Sequence, residues 1–334
     1  MDDKEQILQN KFVTVLKQKI PMHLARTLMD ILPLEKEAIY RRLRGEVSFS
    51  FVEMATISTY LGISLDNIAN KISPYRSQCY QLHVRNYSDI KSIDLNMSYE
   101  YIKAINIASE SPDSEFGIAA NTLPLHISLL HNPLYRVYLL KWWYQSGKIP
   151  GESLVYSNVQ MPEPEKKTYQ DFIDAVSRVK YTFFIWDKSF FMSLINDINY
   201  FYSIRIISPE DIVMLREEMS RLLDTLEHFA DSGIFETTGN RVETYISNIN
   251  FDTTYSYLYS DNVHISMSNA YSLGAFTTLD KDACVDMKNW IMGLKRSSTL
   301  ISGAAQHEKI MFFEKQREYL EKEFIRTEDN FRET

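Results

Sequence analysis

Short apolar segments with a helical period, separated by proline and glycine, fill the first seventy residues of the chain. From Lys4 to Ile20, apolar positions recur close to the period of an α-helix, which predicts an amphipathic helix. Pro21 interrupts this segment. A second short helix is predicted from Leu24, and Pro33 ends it because proline disfavours helical backbone at the residue before it.

Three further helices are predicted in this part of the chain, each with a recognisable start or end. The segment LEKEAIYRRLR ends at Gly45, a residue suited to the left-handed backbone of a helix C-cap. The next helix has Ser50 as its N-cap and Glu53 three residues later, which is the spacing of a capping box, and it closes at Gly62. A serine two residues after this glycine begins the fifth helix.

The predicted domain boundary lies at Pro74 and divides the chain into residues 1–74 and 75–334. The second domain is predicted to be predominantly helical, and its clearest helix starts at the N-cap Ser208. At about 242–278, β-branched and aromatic residues alternate, which predicts a β-hairpin or a small antiparallel meander. The predicted fold class is mostly α: a five-helix N-terminal domain, then a larger helical domain with a small antiparallel β-sheet.

Charge is distributed unevenly along the chain, whose net charge is −8. Residues 1–75 carry ten Lys and Arg against nine Asp and Glu, and within residues 11–44 the counts are eight against three. A basic segment on an acidic chain is typical of a protein in which one module binds phosphate. A solvated helix surface with chance clustering of lysines and arginines would give the same counts.

Nothing in the sequence indicates secretion or a membrane span, so we expect a cytoplasmic protein. The charged N-terminal segment MDDKEQILQNKF lacks the apolar core of a signal peptide. No window approaches the run of about eighteen apolar residues that a transmembrane helix needs. Cys79 and Cys284 lie far apart without metal-type spacing, as expected in a reducing compartment.

The segment that begins at Leu24-Ala25 resembles the lambda-repressor-like, or Cro-repressor, helix-turn-helix family. In that family a Leu-Ala pair opens the first helix of the motif. The recognition helix ends in a basic stretch and a glycine, here 41–45, and a later helix closes on a Leu-Gly-Ile-Ser pattern, here 61–64. The resemblance covers roughly residues 10–72. It departs from the family at Leu43, where an acidic residue is usual, and in a longer turn between the first two helices of the motif.

The resemblance implies that the third helix enters the major groove of double-stranded DNA. One side of this helix, with Ala38, Ile39 and Leu43, would pack against its own domain. By analogy with the family, the residues expected to contact base edges are Lys36, Glu37, Tyr40 and Arg41. The residues expected to contact the phosphate backbone are Arg42, Arg44, Ser48 and Ser50. Each could instead be a plain surface side chain, and this alternative stays open above all for Arg42 and Glu35.

The function predicted on this basis is sequence-specific DNA binding for the control of transcription. One such domain offers few contacts, and members of the family usually dimerise and contact paired half-sites, so self-association as a homodimer is expected. The second domain would then provide dimerisation and a sensing site for an unidentified small-molecule or protein effector. Two alternatives remain: a helix-turn-helix module that binds protein rather than DNA, and an enzyme with a DNA-binding tether.

No motif for catalysis or for a cofactor is present in the sequence. The chain has neither GxxxxGK nor GxGxxG for phosphate binding, and neither HExxH nor GxSxG. His126 and His131 are the closest histidines, and five residues is a poor helical spacing for a metal. The aromatic clusters, such as Trp142-Trp143-Tyr144, are expected in a helical core or dimer surface, although an effector pocket is the alternative. We therefore predict no enzyme activity, no cofactor and no metal.

Overall fold

The computed structural model divides into two compact units, Met1–Gln81 and Leu82–Thr334. The structure describes residues 3–70, 82–85, 95–124, 127, 131–147, 154–160, 163–270, 274–303 and 306–329. The predicted boundary at Pro74 lies outside the described residues, as do Cys79 and His126.

The first unit contains the five predicted helices. They are α1 Asp3–Lys19, α2 Leu24–Ile31, α3 Lys36–Leu43, α4 Phe51–Leu61 and α5 Leu65–Asn70. The predicted capping box at the start of α4 is confirmed: Ser50 Oγ accepts from the Glu53 backbone N–H, and the Glu53 carboxylate accepts from the Ser50 N–H. Gly62 ends the helix with the left-handed backbone (φ 62°) that glycine adopts without a steric penalty.

One apolar core holds the five helices of the first unit together. Phe12 and Leu16 of α1 are fully buried against Leu28 of α2, Ile39 of α3 and Ile57 of α4. The helical period therefore brings one apolar stripe of each helix to a shared centre. This leaves the opposite side of α3 free to carry polar side chains.

The second unit is built on one mixed sheet of eight strands, so the predicted mostly-α fold with a small antiparallel sheet is wrong. The strand order is β1-β7-β6-β5-β2-β3-β4-β8. The strands are β1 His83–Arg85, β2 Glu115–Ala120, β3 Tyr181–Trp186, β4 Arg241–Ser247, β5 Tyr255–Tyr259, β6 His264–Asn269, β7 Ala275–Thr278 and β8 Ser298–Leu300. Strands β2, β3 and β4 are parallel to one another, and the other pairings are antiparallel.

Helices lie in several of the connections between these strands, and one further helix follows β8. They are α6 Leu95–Ser109, α7 Asn132–Ser146, α8 Glu163–Arg178, α9 Met192–Ser203, α10 Pro209–Ser232, α11 Lys281–Arg296 and α12 Gln306–Asp329. The predicted start of α10 is confirmed by a capping box between Ser208 and Asp211. Residues of α6 to α10 and α12 pack on one face of the sheet, and α11 packs on the other.

The prediction missed β2 and β3 because both are central strands with two covered faces. Five of the six residues in each strand are buried, and their sequences, EFGIAA and YTFFIW, are nearly continuous apolar runs. A strand buried on both faces lacks the alternation of polar and apolar residues that identifies a half-exposed strand. Such a run cannot be distinguished from a segment of buried helix by periodicity alone.

The predicted hairpin or meander at about 242–278 covers four strands with two different roles. Strands β5, β6 and β7 form an antiparallel meander, with β5 and β6 joined through the Asp261-Asn262 turn. Strand β4 is not part of it, because β4 pairs in parallel with β3 and so extends the central sheet. The local pattern indicated extended backbone but carried no information on the long-range partner of β4.

Two ion pairs attach α11 to the sheet. Lys288 Nζ lies 2.6 Å from Glu115 of β2, and Lys295 Nζ lies 3.1 Å from Glu243 of β4. Burial alone would raise the pKa of Glu243, but hydrogen bonds from Tyr181, Tyr245 and Lys295 lower it to about 2. Glu243 is therefore held as a carboxylate beneath the helix at neutral pH.

Within the described residues, none of the helices combines the length and apolar character needed to cross a bilayer. The same part of the chain contains no group of three or more His, Cys, Asp and Glu side chains arranged to hold a metal ion.

At the centre of the sheet, the space around Gly117 of β2 is too small for a side chain. A Cβ atom at this position would lie 2.5 Å from a ring carbon of Tyr257 and 2.6 Å from one of Phe183. Both aromatic rings are fully buried, so they have little room to move. We predict that Gly117→Ala destabilises the second unit by about 1–3 kcal/mol, the usual range for overpacking.

Urea unfolding followed by tryptophan fluorescence measures this effect, because all four tryptophans lie in the second unit. Gly293→Ala in α11 is the matched control, since the nearest atom to a Cβ at that position would be the flexible end of the Arg296 side chain, at 3.5 Å. This control is expected to be neutral, or stabilising by up to about 1 kcal/mol through helix propensity. Equal destabilisation by both substitutions would contradict the account of the Gly117 packing.

Candidate nucleic-acid interface

The turn between α2 and α3 determines how α3 is presented. Leu32 leaves α2 with extended backbone (φ −112°, ψ 140°), as expected for a residue that precedes proline. The chain stays extended at Glu35 and then enters α3 at Lys36. Ile39 is fully buried and anchors α3 to the core, so the opposite side of the helix faces outward.

Four of the predicted site residues share this outward side of α3. Lys36, Glu37, Tyr40 and Arg41 are all exposed, and they occupy the first six positions of the helix. Lys36 Nζ lies 5.9 Å from the centroid of the Tyr40 ring, within the range of a weak cation–π contact. The side chains that were expected to contact base edges therefore form one contiguous surface, which we call the α3 face.

Two acidic residues pair with the arginines at the end of α3. Arg44 lies 2.6 Å from Glu46 and 2.9 Å from Glu37, and Arg41 Nε lies 3.6 Å from Glu46. The hydrogen bond that Arg44 donates lowers the pKa of Glu46, and the hydrogen bonds that Glu46 and Glu37 accept raise the pKa of Arg44. These pairs are solvent-exposed and contribute little to stability, so an incoming phosphate can compete for both arginines.

Arg42 occupies a different environment from its neighbours, because its guanidinium is turned into the domain. It makes two parallel hydrogen bonds to the Glu53 carboxylate, of 3.0 and 2.9 Å, and a third of 3.2 Å to the Ala38 carbonyl. The side chains of Arg42 and Glu53 are each 16% exposed. Paired, planar contacts of this kind fix geometry as well as charge. Arg42 thus ties α3 to the first turn of α4.

Glu53 has two functions in the local structure. Its carboxylate accepts from Arg42 and also from the Ser50 backbone N–H at 2.8 Å, completing the capping box of α4. Burial alone would raise the pKa of Glu53, but the Arg42 and Ser50 hydrogen bonds outweigh it and the pKa lies below its ordinary value. The capping box could be predicted from the sequence, whereas the pairing with Arg42 could not.

The two serines of the predicted phosphate contact are placed differently from one another. Ser50 is exposed and its Oγ accepts from the Glu53 backbone N–H as the N-cap of α4. The Ser48 Oγ is buried and has no hydrogen-bond partner among the described residues. The Ser48 hydroxyl is therefore withdrawn from the surface, whereas Ser50 stays exposed at the start of α4.

Sequence reasoning did not identify Gln9 of α1, which holds the loop before α4. This buried amide donates to the Phe49 carbonyl at 2.9 Å and accepts from the Phe49 N–H at 3.0 Å. The reciprocal pair satisfies both backbone groups of a buried residue. A glutamine on the apolar stripe of a predicted helix was the available signal, because a buried polar side chain needs a partner.

Comparison with family models, with curated proteins and with solved structures found no match to this chain. The helix-turn-helix resemblance therefore depends on the residues of the motif alone and stays a prediction.

The pairing of Arg42 and Glu53 makes a prediction for the stability of the first unit. Glu53→Gln leaves a half-buried guanidinium without its counter-charge, at an expected cost of about 1.5–3 kcal/mol for a hydrogen bond to a charged group. Hydrogen exchange of the α3 and α4 backbone amides in the full chain measures the loss. Glu37→Gln is the matched control, because Glu37 pairs only at the exposed surface and its loss is expected to cost less than about 1 kcal/mol.

The pairing of Arg42 with Glu53 also determines whether the stability of the first unit rises or falls with pH. Because the pKa of Glu53 is lowered in the folded state, its contribution is fully present above the unfolded value of about 4.3 and is lost as the pH falls through the folded value. Protection of the α3 amides should therefore decrease on acidification in the wild type, and this component should be absent from Glu53→Gln. Identical pH profiles for the two proteins would contradict the assignment.

Proposed function

We propose that the first unit binds double-stranded DNA and that the protein is a cytoplasmic, sequence-specific regulator of transcription. The observation that carries this proposal is the α3 face, with Lys36, Glu37, Tyr40 and Arg41 on one outward side of a helix whose other side is buried through Ile39. A helix of this shape fits the major groove, where side chains near its start reach base edges. The family resemblance supports the same orientation.

Within this proposal the arginines have separate functions. Arg41 and Lys36 supply donors to base edges or phosphates. Arg44 exchanges its exposed carboxylate partners for phosphate. Arg42 acts as a positioning residue, because its guanidinium holds α3 against α4 through Glu53. This differs from the backbone contact expected for Arg42 from the sequence.

The proposed homodimer is supported by an uncharged, exposed side of α4. Phe51, Val52 and Tyr60 are 75, 71 and 70% exposed. Thr56 and Thr59, on the same helix, donate their hydroxyls to helix carbonyls four residues earlier, at 2.8 and 2.9 Å. These hydroxyls are therefore occupied within the helix. A neutral surface can meet a second copy of itself without like-charge repulsion, as a two-fold interface requires.

A protein-binding module is the second candidate function. The observation in its favour is the pairing of Arg41 and Arg44 with Glu46 and Glu37, which reduces the positive charge that the α3 face presents to DNA. In this case the exposed side of α4 would contact another protein. Neither the wild type nor the variants described below would then bind DNA.

Substitution of Lys36 and Arg41 tests the α3 face directly. In Lys36→Ala/Arg41→Ala, we expect weaker binding to the preferred DNA by about 1–3 kcal/mol for each lost base contact, or a salt slope smaller by about one for each lost phosphate contact. Fluorescence anisotropy over a salt series, with DNA from upstream of the protein's own gene and a scrambled duplex, measures both quantities.

The matched control is Lys315→Ala/Lys322→Ala, which removes two exposed lysines from the second unit. It changes the net charge by the same amount and should leave the salt slope and the sequence preference unchanged. Absence of any binding by the wild type at low salt would contradict the DNA proposal and favour the protein-binding alternative.

The proposed self-association has its own test on α4. Tyr60→Lys places a like charge on both copies of the neutral surface and is expected to weaken pairing by about 1–2 kcal/mol, roughly tenfold. Analytical ultracentrifugation with and without a two-half-site duplex measures it, with Gln18→Lys on the exposed side of α1 as the charge-matched control. An unchanged association constant in Tyr60→Lys would exclude α4 from the dimer contact.

A further inference from the structure

The second unit contains a cavity of about 460 Å³ beyond the carboxyl end of β2. Its walls come from the residues after β2, from α7 and α9, and from the segments next to β5 and β6. Its volume is within the range of roughly 300–1,000 Å³ that is usual for small-molecule sites, towards the lower end. All the residues that line the cavity are among those that the structure describes, and all belong to the second unit.

The cavity lies at β2, the strand on whose two sides the chain adds strands in succession. From β2 the chain builds β3 and β4 on one side, and it then returns to place β5 on the other side of β2. Since Ala119 of β2 pairs with Tyr255 of the antiparallel β5, the start of β5 lies beside the carboxyl end of β2. In open α/β sheets, ligands bind outside the carboxyl ends of the strands at such a reversal point.

The walls of the cavity are fixed by hydrogen bonds that do not depend on a ligand. Asn121 donates to the Asp252 carbonyl at 2.8 Å and accepts from the Thr254 hydroxyl at 3.2 Å. Tyr138 donates to the Leu123 carbonyl at 2.6 Å, and Thr253 donates to the Asn269 carbonyl at 3.0 Å. The cavity is thus preformed, which lowers the entropic cost of binding.

A single ion pair supplies the charge in the cavity. Lys141 of α7 donates to Asp197 of α9 at 2.6 Å, and the two side chains are 29 and 26% exposed. This bond uses one of the three hydrogens of the Lys141 ammonium and the Oδ2 oxygen of Asp197. The remaining two hydrogens and Oδ1 have no partner among the described residues. Burial raises the pKa of Asp197 even though Lys141 lowers it, so its desolvation is substantial.

Two hydroxyl groups add neutral hydrogen-bonding capacity to the walls. Thr122, after β2, and Ser193, in the first turn of α9, both line the cavity. In the described part of the chain, neither hydroxyl makes a hydrogen bond, and neither is sealed off from solvent. The lining therefore presents donors and acceptors with no net charge, next to the apolar surfaces of Tyr138 and Leu194.

We propose that this cavity binds a neutral, polyhydroxylated small molecule of about monosaccharide size. A hydroxyl group both donates and accepts, so neighbouring hydroxyls can accept from Lys141 and donate to Asp197 Oδ1 at the same time. A charged ligand would find no net opposite charge, because Lys141 and Asp197 neutralise each other. The apolar parts of the wall suit the C–H faces of a sugar ring.

Saturation-transfer NMR on the full chain, without DNA, tests this proposal. The probes are D-glucose, D-ribose and myo-inositol at millimolar concentrations, with acetate and methylammonium as charged comparison ligands. At least one polyol is expected to bind the wild type, with acetate and methylammonium showing no binding. Because no DNA is present, the outcome is independent of the proposed function of the first unit.

Variants locate the binding to this cavity. Asp197→Asn is expected to weaken the affinity for the bound polyol about tenfold or more, since it removes a charged acceptor. Thr122→Val and Ser193→Ala should each weaken it several-fold. These two remain informative if Asp197→Asn fails to fold, because neither hydroxyl makes a hydrogen bond to a residue that the structure describes. Ser203→Ala, an exposed serine at the far end of α9, is the matched control and should bind as the wild type does.

Three results would overturn the proposal. The first is that none of the three polyols binds the wild type. The second is that acetate or methylammonium binds in their place, which would assign the cavity to a charged ligand. The third is that a polyol binds equally well to the wild type, Thr122→Val and Ser193→Ala, which would place its site elsewhere.

Discussion

The partly buried pair of Arg42 and Glu53 is the interaction that fixes the proposed interface. α3 is only eight residues long and is too short to be stable by itself, so its position must be fixed from outside. The pair fixes it twice, because the same carboxylate that holds the Arg42 guanidinium also caps the first turn of α4. With α3 held by Ile39 on one side and by Arg42 on another, Lys36, Tyr40 and Arg41 are left to contact a partner.

The second unit depends on a different constraint, the burial of β2 and β3 on both faces. Large aromatic side chains such as Phe183 and Tyr257 fill the space above Gly117, and only a residue without a Cβ atom fits between them. The helix α11 covers this face and is held by the pairs of Lys288 with Glu115 and of Lys295 with Glu243. The cavity beside Lys141 and Asp197 lies outside this rigid centre, beyond the carboxyl end of β2.

The parts of the fold that could be predicted from sequence are those encoded locally. The capping boxes at Ser50 and Ser208 each need only four consecutive residues, and both are present in the structure. β2 and β3 could not be identified in this way, because a strand covered on both faces is defined by partners far away in the chain. The candidate site shows the same limit. Helical spacing placed Lys36, Tyr40 and Arg41 on one outward side, since this depends only on the period of α3. The environment of Arg42 depends on Glu53, eleven residues later and in another helix, and no local pattern indicates that contact.

Dimethyl sulfate footprinting tests the proposed contact between the α3 face and base edges in the major groove. This reagent methylates guanine N7, an acceptor that lies in the major groove. We expect protection of guanines in paired half-sites about one helical turn apart, with weaker protection in Lys36→Ala/Arg41→Ala. Binding without any guanine protection, or with protection that this double substitution leaves unchanged, would contradict it.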